Sequence, residues 1–388
     1  MLGIALESGG AKGSYHAGVL KAVKELGFEF SAVAGSSIGA INGALTAQGD
    51  IDKLCDFWLN ISFDDLFDPS DKPIVELING EINSAVLKKL KSTLYSTLKS
   101  KGISTTRMYS LLCQLIDTDK LKNSPVDFGL VTVSFPDLKP LHIWDTDIPS
   151  DQLCRYNLAS ATFPGFKLTE IGSKKYIDGG AYDSCPINML LDRGCDEVIA
   201  VRVFGGGIFR GPTCKDRTVH YIEPSDSLGA ILGFSRKQAE NNIQMGYYDA
   251  MRYFKKLAGI KYCIEGFDPD IGFGCISQIS HGGIDRLACT MRIDSDKTGK
   301  RLLFEDILPS VCQLLKLDDT CSYNDILIAA LENRAIRLGA DRYKIYSLPD
   351  FLYTVCADIP DTSMCKPHAK RAVSSIVDVF LSVLYHAM

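Results

Sequence analysis

The chain reads as an α/β protein built on a largely parallel sheet, followed by a smaller, mainly helical unit. Three observations predict this. Short apolar runs alternate with helical periodicities up to about residue 257, the pattern of strands and helices packed in layers. The run at 197–203 is continuously apolar apart from Glu197 and Arg202, as a strand buried on both faces requires. After residue 257 the texture changes to Gly- and Asp-rich turns, such as 266–270, and then to helical patterns. The expected domains are 1–257 and 258–388, with the boundary between 257 and 275.

Taken in order, residues 3–6 form the first strand. Residues 15–26 form an amphipathic helix, with Val19, Leu20, Val23 and Leu26 at helical spacing. A second strand at 30–34 leads through Gly35-Ser36-Ser37-Ile38-Gly39 into a helix over 40–47. Residues 127–133 are a third strand, with 141–144 beside it, and 197–203 are a fourth. Ile243, Tyr247, Met251 and Phe254 mark the helix that closes the first domain.

Composition sets limits. The 388 residues are 46% hydrophobic and 23% charged, enough for a large core and a second unit. A formal net charge of −5 argues against a general nucleic-acid binder. The 13 cysteines are scattered, odd in number and without a C-x-x-C pair. They are read as reduced thiols, mostly buried as small hydrophobes, and no metal-ligand spacing is visible. No basic and apolar leader precedes the first strand, and no apolar run of about 18 residues occurs. The expectation is a cytoplasmic enzyme without a membrane span, a metal or a cofactor.

Three segments carry chemistry. Gly35-Ser36-Ser37-Ile38-Gly39, between strand and helix, has the form of a nucleophile elbow: side chains at Gly35 and Gly39 would clash in the turn that lifts Ser37 clear of the sheet. Glu7-Ser8-Gly9-Gly10-Ala11-Lys12-Gly13 follows the first strand, and its paired glycines let backbone N–H groups converge on a negative oxygen. It is not a phosphate loop, because Lys12 precedes Gly13 rather than a Ser or Thr. Nor is it a dinucleotide fingerprint, because Ser8 stands where a glycine is needed. An oxyanion hole remains. Asp178, with Gly179 and Gly180, ends a short strand in a tight turn. Each segment alone also fits a purely structural turn.

In sequence, Gly-Gly-Ala-Lys-Gly, Gly-Ser-Ser-Ile-Gly and Asp-Gly-Gly together resemble the patatin-like phospholipase family, as do the stretch 158–165 and Pro186. The resemblance covers roughly residues 3–257. It implies a three-layer α/β/α fold, Ser37 as nucleophile and Asp178 as its base. It also implies an oxyanion hole from the backbone of Gly9, Gly10 and Ala11, supported by Lys12 and Gly13, with Gly35, Gly39, Gly179 and Gly180 shaping the turns. Many relatives have a third glycine where this chain has Ser8. The six histidines, His16, His142, His220, His281, His368 and His386, include none in the late position of a Ser-Asp-His order. A dyad is therefore expected.

The implied activity is hydrolysis of phospholipids or other acyl lipids. The alternatives are a general carboxylesterase, a thioesterase, an acyltransferase, or a lipid-binding regulator without turnover. Two segments offer peripheral membrane contact. Residues 87–102 carry a leucine stripe (Leu87, Leu90, Leu94, Leu98) among lysines, and 373–384 align Val373, Val377, Phe380 and Leu384. The competing, favoured readings are a solvated helix capping the sheet for the first and docking onto the C-terminal domain for the second. The loop 204–211, with four glycines and two phenylalanines, is either a lid or a plain connection. Residues 342–348 resemble a stretch that follows the domain in some bacterial relatives. The unit 258–388 carries no assignable chemistry, and covering the groove, regulation and dimerisation are its candidate roles.

Overall fold

The computed structural model describes residues 1–71, 102–268, 270–318, 320–357, 359 and 373–385. The chain forms two compact units, Met1–Ala250 and Met251–Met388, the division falling inside the helix Arg236–Phe254.

The first unit is built on an eight-stranded sheet. Its strands are β1 (Leu2–Leu6), β2 (Ala32–Ser36), β3 (Asp127–Phe135), β4 (Pro140–Trp144), β5 (Thr169–Ile171), β6 (Lys174–Asp178), β7 (Glu197–Val201) and β8 (Thr218–Ile222). The order is β5-β6-β3-β2-β1-β7-β8, with β4 pairing β3 off this path. Strands β3, β2, β1, β7 and β8 are mutually parallel; β4, β6 and β5 join through antiparallel pairs. The mostly parallel sheet is thus as expected. Strands β5 and β8 were not anticipated: both are short, and no residue of β5 or β8 except Thr169 and Ile222 is buried, so neither reads as an apolar run.

Alternation along the central strands makes two covered faces. Ala5, Ala32, Ala34, Val131, Val198 and Ala200 face a cluster with Cys185, Ile187, Met189 and Leu190 of the helix Ile187–Asp192 and the turn before it. On the opposite face, the helix Ile38–Ala47 brings Gly43 against Val33 and the Phe128 ring. The result is helix, sheet and helix. Each fully buried Val, Leu or Ile in these layers contributes about 1.5–3 kcal/mol.

Parallel β1 has β2 on one side and β7 on the other, and the chain leaves both β1 and β2 at their carboxyl ends into glycine-rich turns. In an open parallel sheet this switch point leaves a crevice where ligands bind. The expected fourth strand, 197–203, stops at Val201, because the Glu7 carboxylate takes the N–H groups of Val203 and Phe204.

The second unit holds the helices Ile271–Ser277, His281–Met291, Leu308–Leu315, Tyr323–Leu338, Leu348–Cys356 and Val373–Tyr385, with a parallel pair of β9 (Cys263–Glu265) and β10 (Ile345–Ser347). Residues 342–348 supply β10 and the start of the helix after it. Of the 373–384 stripe, Val377, Phe380 and Leu384 are buried in the core of this unit, and Arg334 and Arg337 bind Asp378 on the other side. Residues 87–101 lie outside the described residues. No described helix is long and apolar enough to cross a membrane. The Sγ atoms of Cys312 and Cys321 stand 3.5 Å apart as thiols.

Candidate active site

Register brings the chemistry together. Ser36 at the end of β2 pairs with Val131, and the next residue of β3, Thr132, pairs with Asp178 at the end of β6. Ser37 and Asp178, 141 positions apart in sequence, therefore flank β3 at the same level. Ser37 Oγ donates to Asp178 Oδ2 at 2.6 Å.

The elbow has the strain its glycines foretell. Ser37 adopts φ 57° and ψ −125°, left-handed backbone that side chains avoid. A Cβ at Gly35 would run into the Gly39 backbone, and one at Gly39 into the Leu6 carbonyl. The helix Ile38–Ala47 starts directly after Ser37, so its positive end adjoins that residue.

Asp178 is 6% exposed. Its Oδ1 accepts the Gly180 N–H at 2.7 Å. Burial pushes its pKa up to about 6, against the opposing pull of the Ser37 and Gly180 bonds. At neutral pH it is a carboxylate with raised basicity, bonded to a hydroxyl proton, which is the arrangement a general base needs.

The glycine loop follows β1. Ser8 N–H donates to the Ser184 carbonyl (2.8 Å) and Lys12 N–H to the Gly9 carbonyl (3.2 Å). Ala11 N–H is taken by the Ile231 carbonyl at 2.6 Å. Of the three expected donors, Ala11 N–H is engaged by the segment ahead of the helix Arg236–Phe254, while Gly9 and Gly10 N–H meet no acceptor among the described residues. Gly10 has φ +55°, and a Cβ there would collide with the Ile231 carbonyl, so only glycine fits. Lys12 Nζ donates to the Phe204 carbonyl at 3.0 Å, and burial lowers its pKa against an opposing pull from Glu7.

A buried ion pair braces this loop. Glu7, 3% exposed, meets Arg202 at 3.1 Å, and the Arg202 guanidinium lies 3.7 Å from the Phe209 ring centre. Removing one partner of such a pair costs about 3–5 kcal/mol, because the other is left charged and buried. The loop 204–211 is also tied by Ile208 N–H to the Gly180 carbonyl (2.9 Å) and by Ser8 Oγ to the Gly206 carbonyl (3.2 Å). It joins the glycine loop to the Asp178 turn. Sequence reading missed the Glu7–Arg202 pair; an acid and a base ending two apolar strands were its only signal.

No described histidine bonds to Ser37 or Asp178. His16 is fully buried and held by Asn42 at 3.1 Å, and burial pushes its pKa down to about 3, so it is neutral. His142 lies 3.8 Å from Asp183, and His220 is bonded to Glu197. His368 and His386 lie outside the described residues. Sequence reading singled out 158–165 without giving any residue there a role. In the structure the Ser160 hydroxyl accepts the Ser37 N–H at 2.9 Å, and the Thr162 carbonyl accepts the Asp178 N–H at 2.9 Å.

An uncharacterized NTE family protein of Mycobacterium bovis is 26% identical over 203 residues, covering 52% of this chain and 49% of that protein. The lysophospholipase NTE1 of Saccharomyces cerevisiae is 26% identical over 322 residues, covering 76% of this chain and 17% of that protein. The chain thus spans about half the length of the mycobacterial relative and a smaller part of the yeast one. Among solved structures, VipD from Legionella pneumophila aligns with 100% of this chain and 91% of its own at TM-score 0.41 and 11% identity. The type III effector ExoU aligns with 97% of this chain and 76% of its own at TM-score 0.34 and 15% identity. Residues 4–191 match the family described as patatin-like phospholipase. The chain thus carries a patatin-like phospholipase domain over residues 4–191.

Proposed function

We propose that the chain is a serine-dependent acyl hydrolase of phospholipids or lysophospholipids, working through a Ser37–Asp178 dyad. The observation that carries this reading is the 2.6 Å bond from Ser37 Oγ to a buried carboxylate whose pKa is raised to about 6. Asp178 accepts the Ser37 proton as Oγ attacks the ester carbonyl. The N–H groups of Gly9 and Gly10 receive the oxyanion, each such donor being worth about 3–4 kcal/mol. The leaving alcohol or lysolipid takes the proton from Asp178. Water, deprotonated by the same carboxylate, then cleaves the acyl-enzyme. No cofactor enters this scheme. The patatin-like phospholipase domain and the lysophospholipase among the relatives support a lipid ester as substrate.

In this reading the hydrolase domain spans 1–257, and 258–388 is an extension. The enzyme works in the cytoplasm and meets its lipid peripherally. A substrate panel tests the proposal. Long-chain phospholipid and lysophospholipid esters are expected to be cleaved faster than short soluble esters, with a fluorophosphonate probe labelling the chain only when Ser37 is present. Preference for short esters or thioesters would replace the lipase reading with an esterase or thioesterase. Absence of labelling would favour a lipid-binding protein without turnover.

A further inference from the structure

We infer that Ser160 is a positioning residue for the nucleophile, setting the backbone of Ser37 through a side-chain hydrogen bond; the inference rests on the dyad proposed above. Ser37 is held in left-handed backbone and is only 8% exposed. In that conformation its N–H leaves the sheet ladder, whose last β2 register pair is Ser36 with Val131. A buried N–H without an acceptor is costly, and the sharp turn would otherwise bear that cost in addition to its strain.

Ser160, fully buried at the end of the helix Leu153–Ser160, supplies that acceptor. Its Oγ receives the Ser37 N–H at 2.9 Å and donates its own proton to the Val131 carbonyl at 2.6 Å. A hydroxyl suits the place because one small group must both accept and donate. The donation to Val131 fixes the rotor, so a lone pair is left facing Ser37. Because the Ser37 N–H is engaged this way, it is not an oxyanion donor.

Two residues later the same segment holds the other half of the dyad. The Thr162 carbonyl accepts the Asp178 N–H at 2.9 Å, and Thr162 Oγ1 is itself anchored to the Leu158 carbonyl (2.8 Å) and Thr169 Oγ1 (2.7 Å). Residues 160–162 therefore grip Ser37 and Asp178 from one short stretch of chain. That grip holds Oγ and Oδ2 in place more tightly than sheet register alone, and small displacements of reacting groups cost large factors in rate.

The test uses the full chain with a long-chain p-nitrophenyl ester and a fluorophosphonate probe, with the thermal unfolding midpoint measured alongside. Ser160→Ala is expected to lower kcat and the labelling rate about tenfold to a hundredfold, with KM unchanged. Ser160→Thr, which keeps an Oγ, is expected to stay within severalfold of the parent. A wild-type labelling rate in Ser160→Ala, or equal losses in the Ala and Thr variants, would overturn the positioning role. Should Ser160→Ala not fold, Ser160→Cys replaces it: sulfur is a weak acceptor, so severalfold slowing supports the role and an unchanged rate overturns it. Ser37→Ala separates the two levels. If it retains turnover, the proposed function falls and the positioning role with it. If it is silent while Ser160→Ala is unimpaired, only the positioning role is lost.

Discussion

Asp178 in the first unit and Glu332 in the second are equally hidden carboxylates with opposite surroundings. They are 6% and 4% exposed, and burial raises the pKa of both. Glu332 Oε1 accepts three backbone N–H groups, from Ile260, Lys261 and Tyr262, at 2.7–2.9 Å. Those donors never give up their protons, so Glu332 is a brace that ties an irregular segment to the helix Tyr323–Leu338. Asp178 accepts one such donor, Gly180, and gives its second oxygen to the hydroxyl of Ser37. A proton on that hydroxyl can move. Burial by itself therefore does not mark a reactive carboxylate; the nature of its hydrogen-bond donors does.

Substitution at each position tests that contrast, and the dyad should give the largest effect. Ser37→Ala and Asp178→Asn are each expected to lower ester turnover at least about a thousandfold with the fold intact, and the double variant to lose little more than either alone, since the two act as a unit. Additive losses in steady-state kinetics would mean they act separately. At Glu332 the damage should fall on stability. Glu332→Ala strands three backbone donors and is expected to cost about 3–5 kcal/mol in denaturant unfolding, while turnover per folded molecule stays within about twofold. A thousandfold loss of turnover there would erase the distinction.

The smallest effect is the pH response. In the proposed dyad turnover needs Asp178 ionised, so kcat/KM should rise with pH through about 6 and then level. Stability runs the other way. Asp178 has a folded pKa above its unfolded value of about 3.9. Its contribution is therefore full below that value and is lost as pH rises to about 6. Above pH 6, Asp178→Asn is expected to be more stable than the parent by up to about 2–3 kcal/mol although it is inactive. Equal or lower stability of the variant at pH 8 in urea titrations would mean that the carboxylate is not held at such a cost.

The legible parts of the site were those whose physics is local. The turn at Ser37 demands glycines at Gly35 and Gly39 because backbone passes where a Cβ would sit, and Gly10 must be glycine at φ +55°. Such demands mark neighbouring letters, so the elbow, the glycine loop and the Asp178 turn could all be found by reading. The engagement of Ala11 N–H by Ile231 was not legible, because the acceptor is a backbone carbonyl 220 positions away and any residue type carries one. Ser160 stood inside a recognised stretch, yet its function depends on which atoms face it. The stripe at 373–384 had a helical period that suits a membrane or a core equally, and folding assigned Val377, Phe380 and Leu384 to a core.

By itself, then, the sequence determined the layered α/β class and the three turns that carry Ser37, the glycine loop and Asp178, since periodicity and steric exclusion are properties of adjacent residues. The tertiary structure decided the rest: that β3 sets Ser37 level with Asp178, that residues 160–162 grip both, that Glu7 and Arg202 brace the glycine loop, and that two loop N–H groups rather than three remain open. Those outcomes depend on register and on burial between distant segments, and a hydrogen bond across 100 or more residues leaves no periodic trace in the chain that makes it.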